Sequence, residues 1–413
     1  MAVELFALKY MTRFACVGAA CEDNCCQRWS VVVDQPHHDR LRGKMSSPAE
    51  RAEFEAKVRR LEGPPRAHKY ALMVLREDKT CSFLADGLCS IHGRYGEELL
   101  PDVCATYPRS LTRIGERVEL AGRPSCPEVA RQILVEEDGL DLVSAEPPAT
   151  PYRFIATTID AKKSKDPYEA NFTAVRGLVA SLLAERRHPV ASRLFFVAYF
   201  ADKSRDILRR GEKRFDAEGL QELGSSLEEP ATLATLHRSL GRALVDPRFG
   251  LSVVREMLGL PARLVPAALT ELIAEVDAAL AAHGASLAAD PASLQHALAK
   301  LPPLAPDLAA RLDVLVERYA RHDVMRVAFA KEPSFIGFYH ALLLRVATLR
   351  VLVGTLARTR PGVDASALDA LGARAVYLLT RTLEHNELLM KEVQRALEAH
   401  GMTLENAVSL IRV

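Results

Sequence analysis

What this chain lacks narrows its reading quickly. No cysteine follows Cys126 in 413 residues, so all eight thiols fall in the first third. An excess of charge of one sign is missing too: 54 Lys+Arg stand against 53 Asp+Glu, which removes bulk charge as a reason for binding nucleic acid or a membrane surface. The N-terminus has no uninterrupted apolar run, being broken by Glu4, Lys9 and Arg13, so no secretory leader is read there. Nor does a lipobox precede Cys16 or Cys21, since Arg13 and Gly18 stand where a large aliphatic residue is wanted. The expected location is the cytoplasm, where a disulfide framework is disfavoured. The long apolar stretch Phe335 to Ala357 contains Arg345 and Arg350, and two arginines are costly in lipid. It reads as a core helix, and no membrane partner is expected.

Other absences bear on chemistry. No glycine-rich loop follows a strand, as a doubly wound cofactor-binding fold requires. The C-x3-C-x2-C signature of radical S-adenosylmethionine enzymes fails as well, because after Cys21-x3-Cys25 the third position is Arg28.

What is present divides in two. From about Asp160 onward apolar residues recur at helical spacing, first as Val175, Leu178, Val179, Leu182 and Leu183, ended by His188-Pro189. The pattern returns over Leu194–Leu208, Leu251–Leu258, Leu264–Leu280, Leu312–Phe329, Phe335–Leu356 and Leu368–Leu397, punctuated by Pro302-Pro303, Pro333 and Pro361-Gly362. No fixed repeat length appears, so a bundle or irregular helical array is expected. The first part shows short segments instead: Ser30–Val33 and Val118–Leu120 are candidate strands, and Pro64-Pro65 and several glycines interrupt the rest. Three prolines within Ala145–Pro151 make a stiff connector. The expected fold is mainly α: a small cysteine-rich metal-binding domain with short strands over residues 1–150, its loops pinned by metal rather than by a large core, and an all-helical domain over 151–413.

The cysteines run Cys16-x4-Cys21-x3-Cys25-Cys26, then Cys81-x7-Cys89-x14-Cys104-x21-Cys126. Converging thiolates bind zinc or iron–sulfur clusters, so all eight are candidate metal ligands. Zinc-finger spacing is absent, and Cys126-Pro127 points toward iron. Adjacent Cys25 and Cys26 project differently from an extended segment, so one of them serves a second zinc or simply packs as a small apolar side chain. His92 offers a nitrogen in place of a thiolate, against a solvated loop role. Trp29 either shields a bound group or anchors a small core. Arg109, behind Tyr107-Pro108, has the fork to clamp the carboxylate of an amino-acid cofactor, with a structural salt bridge as the alternative; Trp29, Tyr107 and Arg109 are the candidate cofactor contacts. Glu22, Asp23 and Glu128 are acids able to neutralise or deprotonate a basic group, or turn and helix-start residues. Arg381 and His385, stacked at i and i+4, read as an exposed helix face in preference to a cleft lining, and His37-His38 as ordinary surface histidines.

Two stretches carry a resemblance: Phe14-x-Cys16-x4-Cys21-Glu22-Asp23-Asn24-Cys25-Cys26-x2-Trp29-x4-Asp34, and Cys81-x-Phe83-Leu84-x4-Cys89-x-Ile91 through Gly96-Glu97, Cys104-x2-Tyr107-Pro108-Arg109 and Ser125-Cys126-Pro127-Glu128-x-Ala130-Arg131. Over residues 10 to 132 the chain resembles the flagellin lysine-N-methylase family and its wider relatives, the cysteine-rich zinc- or iron-chelating domains. The resemblance implies a [4Fe–4S] cluster, with zinc as the alternative, and S-adenosylmethionine-dependent methylation of lysine ε-amines on flagellin or a flagellin-like partner. It leaves the catalytic base unassigned. Two other classes remain open on the residues alone: a non-catalytic metal-binding scaffold and an iron–sulfur or thiol redox sensor.

Overall fold

The structure, a computed structural model, describes residues 4–62, 69–146, 155–164, 167–210, 217–261, 265–326, 334–384 and 387–413. Pro64-Pro65, the prolines of the 145–151 connector, Leu264, Phe329, Pro333, His385 and Asn386 lie outside them.

The first third is built on strands. They are β1 Leu5–Leu8, β2 Val32–Val33, β3 Val58–Arg60, β4 Ala71–Met73, β5 Leu84–Ala85, β6 Leu88–Cys89, β7 Arg109–Ile114, β8 Arg117–Gly122, β9 Leu142–Ser144 and β10 Thr157–Ile159. The short helices among them are α1 Gln35–Gly43, α2 Pro48–Lys57, α3 Ser90–Tyr95, α4 Asp102–Thr106 and α5 Pro127–Val135. A five-stranded sheet has the order β10-β7-β8-β1-β9, with β1 parallel to β8 and β10 parallel to β7. Its centre is the β7–β8 hairpin, turned at Gly115, whose φ of 60° suits a residue without a Cβ. A second sheet, β2-β4-β3, is antiparallel.

Helices follow: α6 Pro167–Ala170, α7 Phe172–Ala184, α8 Val190–Arg210, α9 Ala217–Glu228, α10 Pro230–Arg242, α11 Arg248–Leu258, α12 Ala267–Ala281, α13 Pro291–Lys300, α14 Pro306–Met325, α15 Phe335–Thr359, α16 Ala365–Glu384, α17 Glu387–His400 and α18 Leu404–Ile411. The single helix expected over 368–397 is thus two, α16 and α17. The region after residue 150 is also not all helical. Thr157, Thr158 and Ile159 pair with β7, an edge that β-branched residues fit and whose main-chain groups would otherwise lack partners.

Two apolar cores result. The smaller gathers Val31, Val33, Leu41, Phe54, Val58, Met73, Phe83, Ile91 and their neighbours, all between residues 31 and 100. The larger is continuous from Leu5 to Ile411 and does not divide at residue 150: β1, β8 and α5 contribute to it together with α7, α8, α14, α15 and α16. Much of the first third is therefore held by apolar packing, contrary to the expectation of loops pinned by metal instead of by a large core.

Helix α15 is long and apolar enough to span a membrane by composition, but 89% of its most apolar window is buried in the protein. Its Arg345 pairs with Asp323 of α14, which also takes Arg326; the pairing offsets the cost of burying these charges.

One polar contact crosses the large core. The Tyr10 hydroxyl accepts the Gly122 N–H at 2.7 Å and lies 2.8 Å from His322 Nε2. Burial first, then Arg326, depress the His322 pKa from 6.5 to about 3. The unfolded chain therefore takes up a proton that the folded one refuses. Stability is full above pH 6.5 and is lost as pH falls from there toward 3. Unfolding in denaturant should show the advantage of wild type over His322→Gln shrinking by about 2 kcal/mol between neutral pH and a pH about 1.5 units below the ordinary histidine value. A pH-independent difference would refute the neutral, buried assignment.

Candidate functional site

Local backbone chemistry brings the cysteine segments together. Gln27 and Thr80 form an antiparallel bridge, flanked by Arg28 N–H to Lys79 O at 2.9 Å and Cys81 N–H to Cys26 O at 2.7 Å. Cys26 and Cys81 are therefore main-chain neighbours despite their separation in sequence. The β5–β6 hairpin turns on Asp86 and Gly87, both with positive φ (51° and 76°), a type I′ turn. It sets Cys89 opposite Leu84 and at the start of α3. Cys104 lies in α4, and Cys126 is the residue from which α5 begins. All eight cysteines carry free thiols.

Six of them, Cys16, Cys25, Cys26, Cys81, Cys89 and Cys104, line a cavity of about 320 Å³ together with His92, Trp29, Tyr107 and Arg109. Cys21 and Cys126 are not on its wall. The Trp29 indole donates to Cys25 O at 2.7 Å, and its ring centre is 5.5 Å from that of Tyr107. The Tyr107 hydroxyl meets Ser125 Oγ at 3.1 Å. Arg109, the first residue of β7, lies over the Phe14 ring at 5.5 Å. Among the described residues no carboxylate pairs with Arg109, so the salt-bridge alternative finds no partner.

The thiols are electrostatically unequal. Hydrogen bonding from Cys26 holds Cys25 down to about 7 and, with main-chain N–H groups of α3, Cys89 down to about 6. The same bonds push Cys26 up, while burial raises Cys81, Cys104 and, to about 12, Cys126. Soft donors crowded around one cavity suit a thiophilic centre. Four thiolates on one zinc, at Zn–S of about 2.3 Å, stand only about 3.8 Å apart. Among the described residues no three cysteine or histidine ligand atoms lie within 4.8 Å of one another. The thiols are thus not gathered in the tight tetrahedron of a single closed zinc site.

Several polar residues take roles that the sequence does not announce. Arg381 is buried, not on an exposed helix face. Its guanidinium pairs with Asp23 at 2.5 Å and donates to Ser125 O at 3.2 Å. The available signal is a lone arginine inside the run Val376–Leu383, which is buried all round. Glu22 and Glu128 both pair with Arg131, so these acids, with Asp23, are engaged structurally. His37 and His38 are buried as well. His37 lies between Asp34 and Asp102, and His38 packs on Phe54 and Tyr70.

No family model matches the chain, and no solved structure does. Among curated proteins it is 25% identical over 134 residues to a lysine-N-methylase of Salmonella typhimurium and to one of Salmonella choleraesuis, covering 32% of this chain and 33% of each of theirs. The same extent and identity hold for the flagellar biosynthetic protein FliU of Salmonella muenchen, of which 78% is covered. The match thus spans about a third of the length of the lysine-N-methylases. The likeness to this family that the cysteine pattern suggests is found again in these relatives.

Removing Arg381 would strand Asp23, whose side chain is 11% exposed. Arg381→Leu should cost about 3–5 kcal/mol, the penalty for breaking a buried pair, and raise hydrogen exchange through residues 16–29. A loss below about 1 kcal/mol, typical of a surface pair, would contradict this.

Proposed function

We propose that this chain is a protein-lysine N-methyltransferase that uses S-adenosylmethionine, acts on a flagellin-type substrate, and carries a [4Fe–4S] cluster in the thiol-lined cavity. The observation that carries the reading is the cavity itself: convergent soft donors beside an arginine without an acidic partner, in a chain whose relatives are named lysine-N-methylases.

Cys81, Cys89 and Cys104, the three thiols on the flank of the smaller core, would hold the cluster and leave one iron without a cysteine. When bound, a cluster with one iron not fully ligated by cysteine supplies a chelating position for the amino and carboxylate groups of an amino-acid cofactor. Arg109 orients that carboxylate, since its planar fork matches carboxylate geometry. Trp29 and Tyr107 provide a flat aromatic wall beside it.

Methyl transfer to an amine requires the nitrogen lone pair. Deprotonating a lysine of pKa about 10.4 at neutral pH costs roughly 4–5 kcal/mol. The apolar part of the wall, Val31, Met73, Leu75, Phe83, Ile91 and Leu100, disfavours the ammonium form by withholding water. His92 and Glu97 are the non-thiol groups on that wall able to accept the proton. The amine then displaces the methyl group directly, breaking the donor's S–CH3 bond and forming N–CH3, with S-adenosylhomocysteine as the other product.

Protein purified without oxygen should be brown and contain iron with acid-labile sulfide; stoichiometric zinc without iron would refute the cluster. Incubated with donor and purified flagellin, the cluster-loaded protein should yield methyl-lysine and S-adenosylhomocysteine one for one, with no 5′-deoxyadenosine. Arg109→Ala should weaken donor binding by about tenfold or more, the loss of one charge-assisted hydrogen bond. No methylation by cluster-replete protein would favour the scaffold, and activity lost and regained with cluster oxidation the redox sensor.

A further inference from the structure

The eight thiols do not surround one point. Cys81, Cys89 and Cys104 pack against the smaller core, whereas Cys126 packs against the larger. The electrostatic neighbours of Cys104 among the thiols are Cys89, Cys81 and Cys25. Those of Cys126 are Cys21 and Cys16, and Cys21 in turn lies beside Cys16. Cys25 belongs with the first group through its bond to Cys26. Cys16, Cys21 and Cys126 thus form a second group, of which Cys16 also borders the cavity.

Main-chain donors converge on each sulfur of that group. Cys16 Sγ receives the Gly18 N–H at 3.4 Å, in a turn where Gly18 has a φ of 57°. Cys21 receives the N–H of Asp23, and Cys126 receives those of Glu128 and Val129 at the start of α5. A neutral thiol is a weak acceptor. Donors aimed at sulfur from two or three residues ahead matter most to a thiolate, and hydrogen bonds to ligating sulfur are how a protein tunes a metal–thiolate site.

The approach of Cys21 to Cys126 is held on both sides. Arg131 joins Glu22, next after Cys21, to Glu128, two residues past Cys126. Arg381 joins Asp23, two residues past Cys21, to the carbonyl of Ser125, just before Cys126. Two arginine clamps therefore bracket one pair of cysteines. Nothing in the cavity chemistry requires this, because neither Cys21 nor Cys126 lines that cavity.

We infer that Cys21 and Cys126, together with Cys16 where it borders the cavity, hold a second thiophilic metal centre, distinct from the one held by Cys81, Cys89 and Cys104. Three thiolates suit zinc or iron. Their sulfurs are not drawn within 4.8 Å of one another, so either a single ion pulls them inward or a cluster fills the gap between them. This centre requires no methyl transfer.

The test is a metal count on full-length protein purified without oxygen, with zinc, iron and sulfide measured per chain, followed by the variants Cys21→Ser and Cys104→Ser. Wild type should contain two centres. Cys21→Ser should lose one and keep the cavity centre, Cys104→Ser should do the reverse, and the double variant should lose both. Zinc lost from Cys21→Ser identifies a single ion there, and iron lost together with sulfide identifies a cluster. Arg131→Met, which opens a clamp without removing a sulfur, should release the second centre to a chelator at least several-fold faster than wild type. Metal sufficient for only one centre in wild type overturns the inference, as does loss of the same metal from both single variants. None of these measurements depends on methylation, so failure of the methylase reading leaves the result intact.

Discussion

The buried pair between Arg381 and Asp23 is the constraint on which the cysteine geometry depends. Asp23 lies between Cys21 and Cys25, and it also accepts from Asn24 N–H and the Gln27 amide. The carboxylate thus shapes the turn that aims the neighbouring thiols, while Arg381 anchors the turn to α16. Because the guanidinium also holds the carbonyl just before Cys126, one side chain from far along the chain relates two cysteine segments. A charge buried to this degree tolerates little displacement, since movement would leave an ion without a partner in a poorly solvated place. The helical body therefore acts as part of the site's frame.

The same logic recurs where the first third meets the helices. Glu119 of β8 takes Arg176 of α7 in a two-pronged contact, Arg318 of α14 donates to Leu134 O of α5, and Tyr10 reaches His322. These are charged or polar groups satisfied across a boundary that composition alone would draw as a linker. Apolar packing continues through the same surface. The smaller core stands differently, being built from residues 31 to 100 and presenting Cys81, Cys89 and Cys104 on its flank. The cavity opens where this small core meets the Trp29–Tyr107 aromatic pair.

Crowded thiols without metal must keep their protons or share them. Cys26 does so by hydrogen bonding to both Cys25 and Cys89, which lowers those two and raises itself. A metal, where one binds, would replace the shared protons as the positive charge that reconciles the sulfurs. The same cavity also presents an apolar wall and an arginine beside the thiols.

Local sequence determined a good deal here. The helical stripes of α7, α8, α11 and α15 were legible because apolar spacing at 3.6 residues reflects a face that must be buried whatever its partner. The strands within Ser30–Val33 and around Val118–Leu120 were legible from β-branching, and the cysteine spacing pointed to metal chemistry because few other functions gather so many thiols in one third of a chain. The sequence could not say that Arg381 turns inward, because an arginine in an apolar helix is exposed or buried according to whether a distant carboxylate meets it. Nor could it say that Thr157–Ile159 completes a sheet begun by Leu5–Leu8, or that the cysteines fall into two groups. Those outcomes rest on contacts between residues far apart in the chain, whose energies exist only once the backbone has closed around them. Only the tertiary structure decided them.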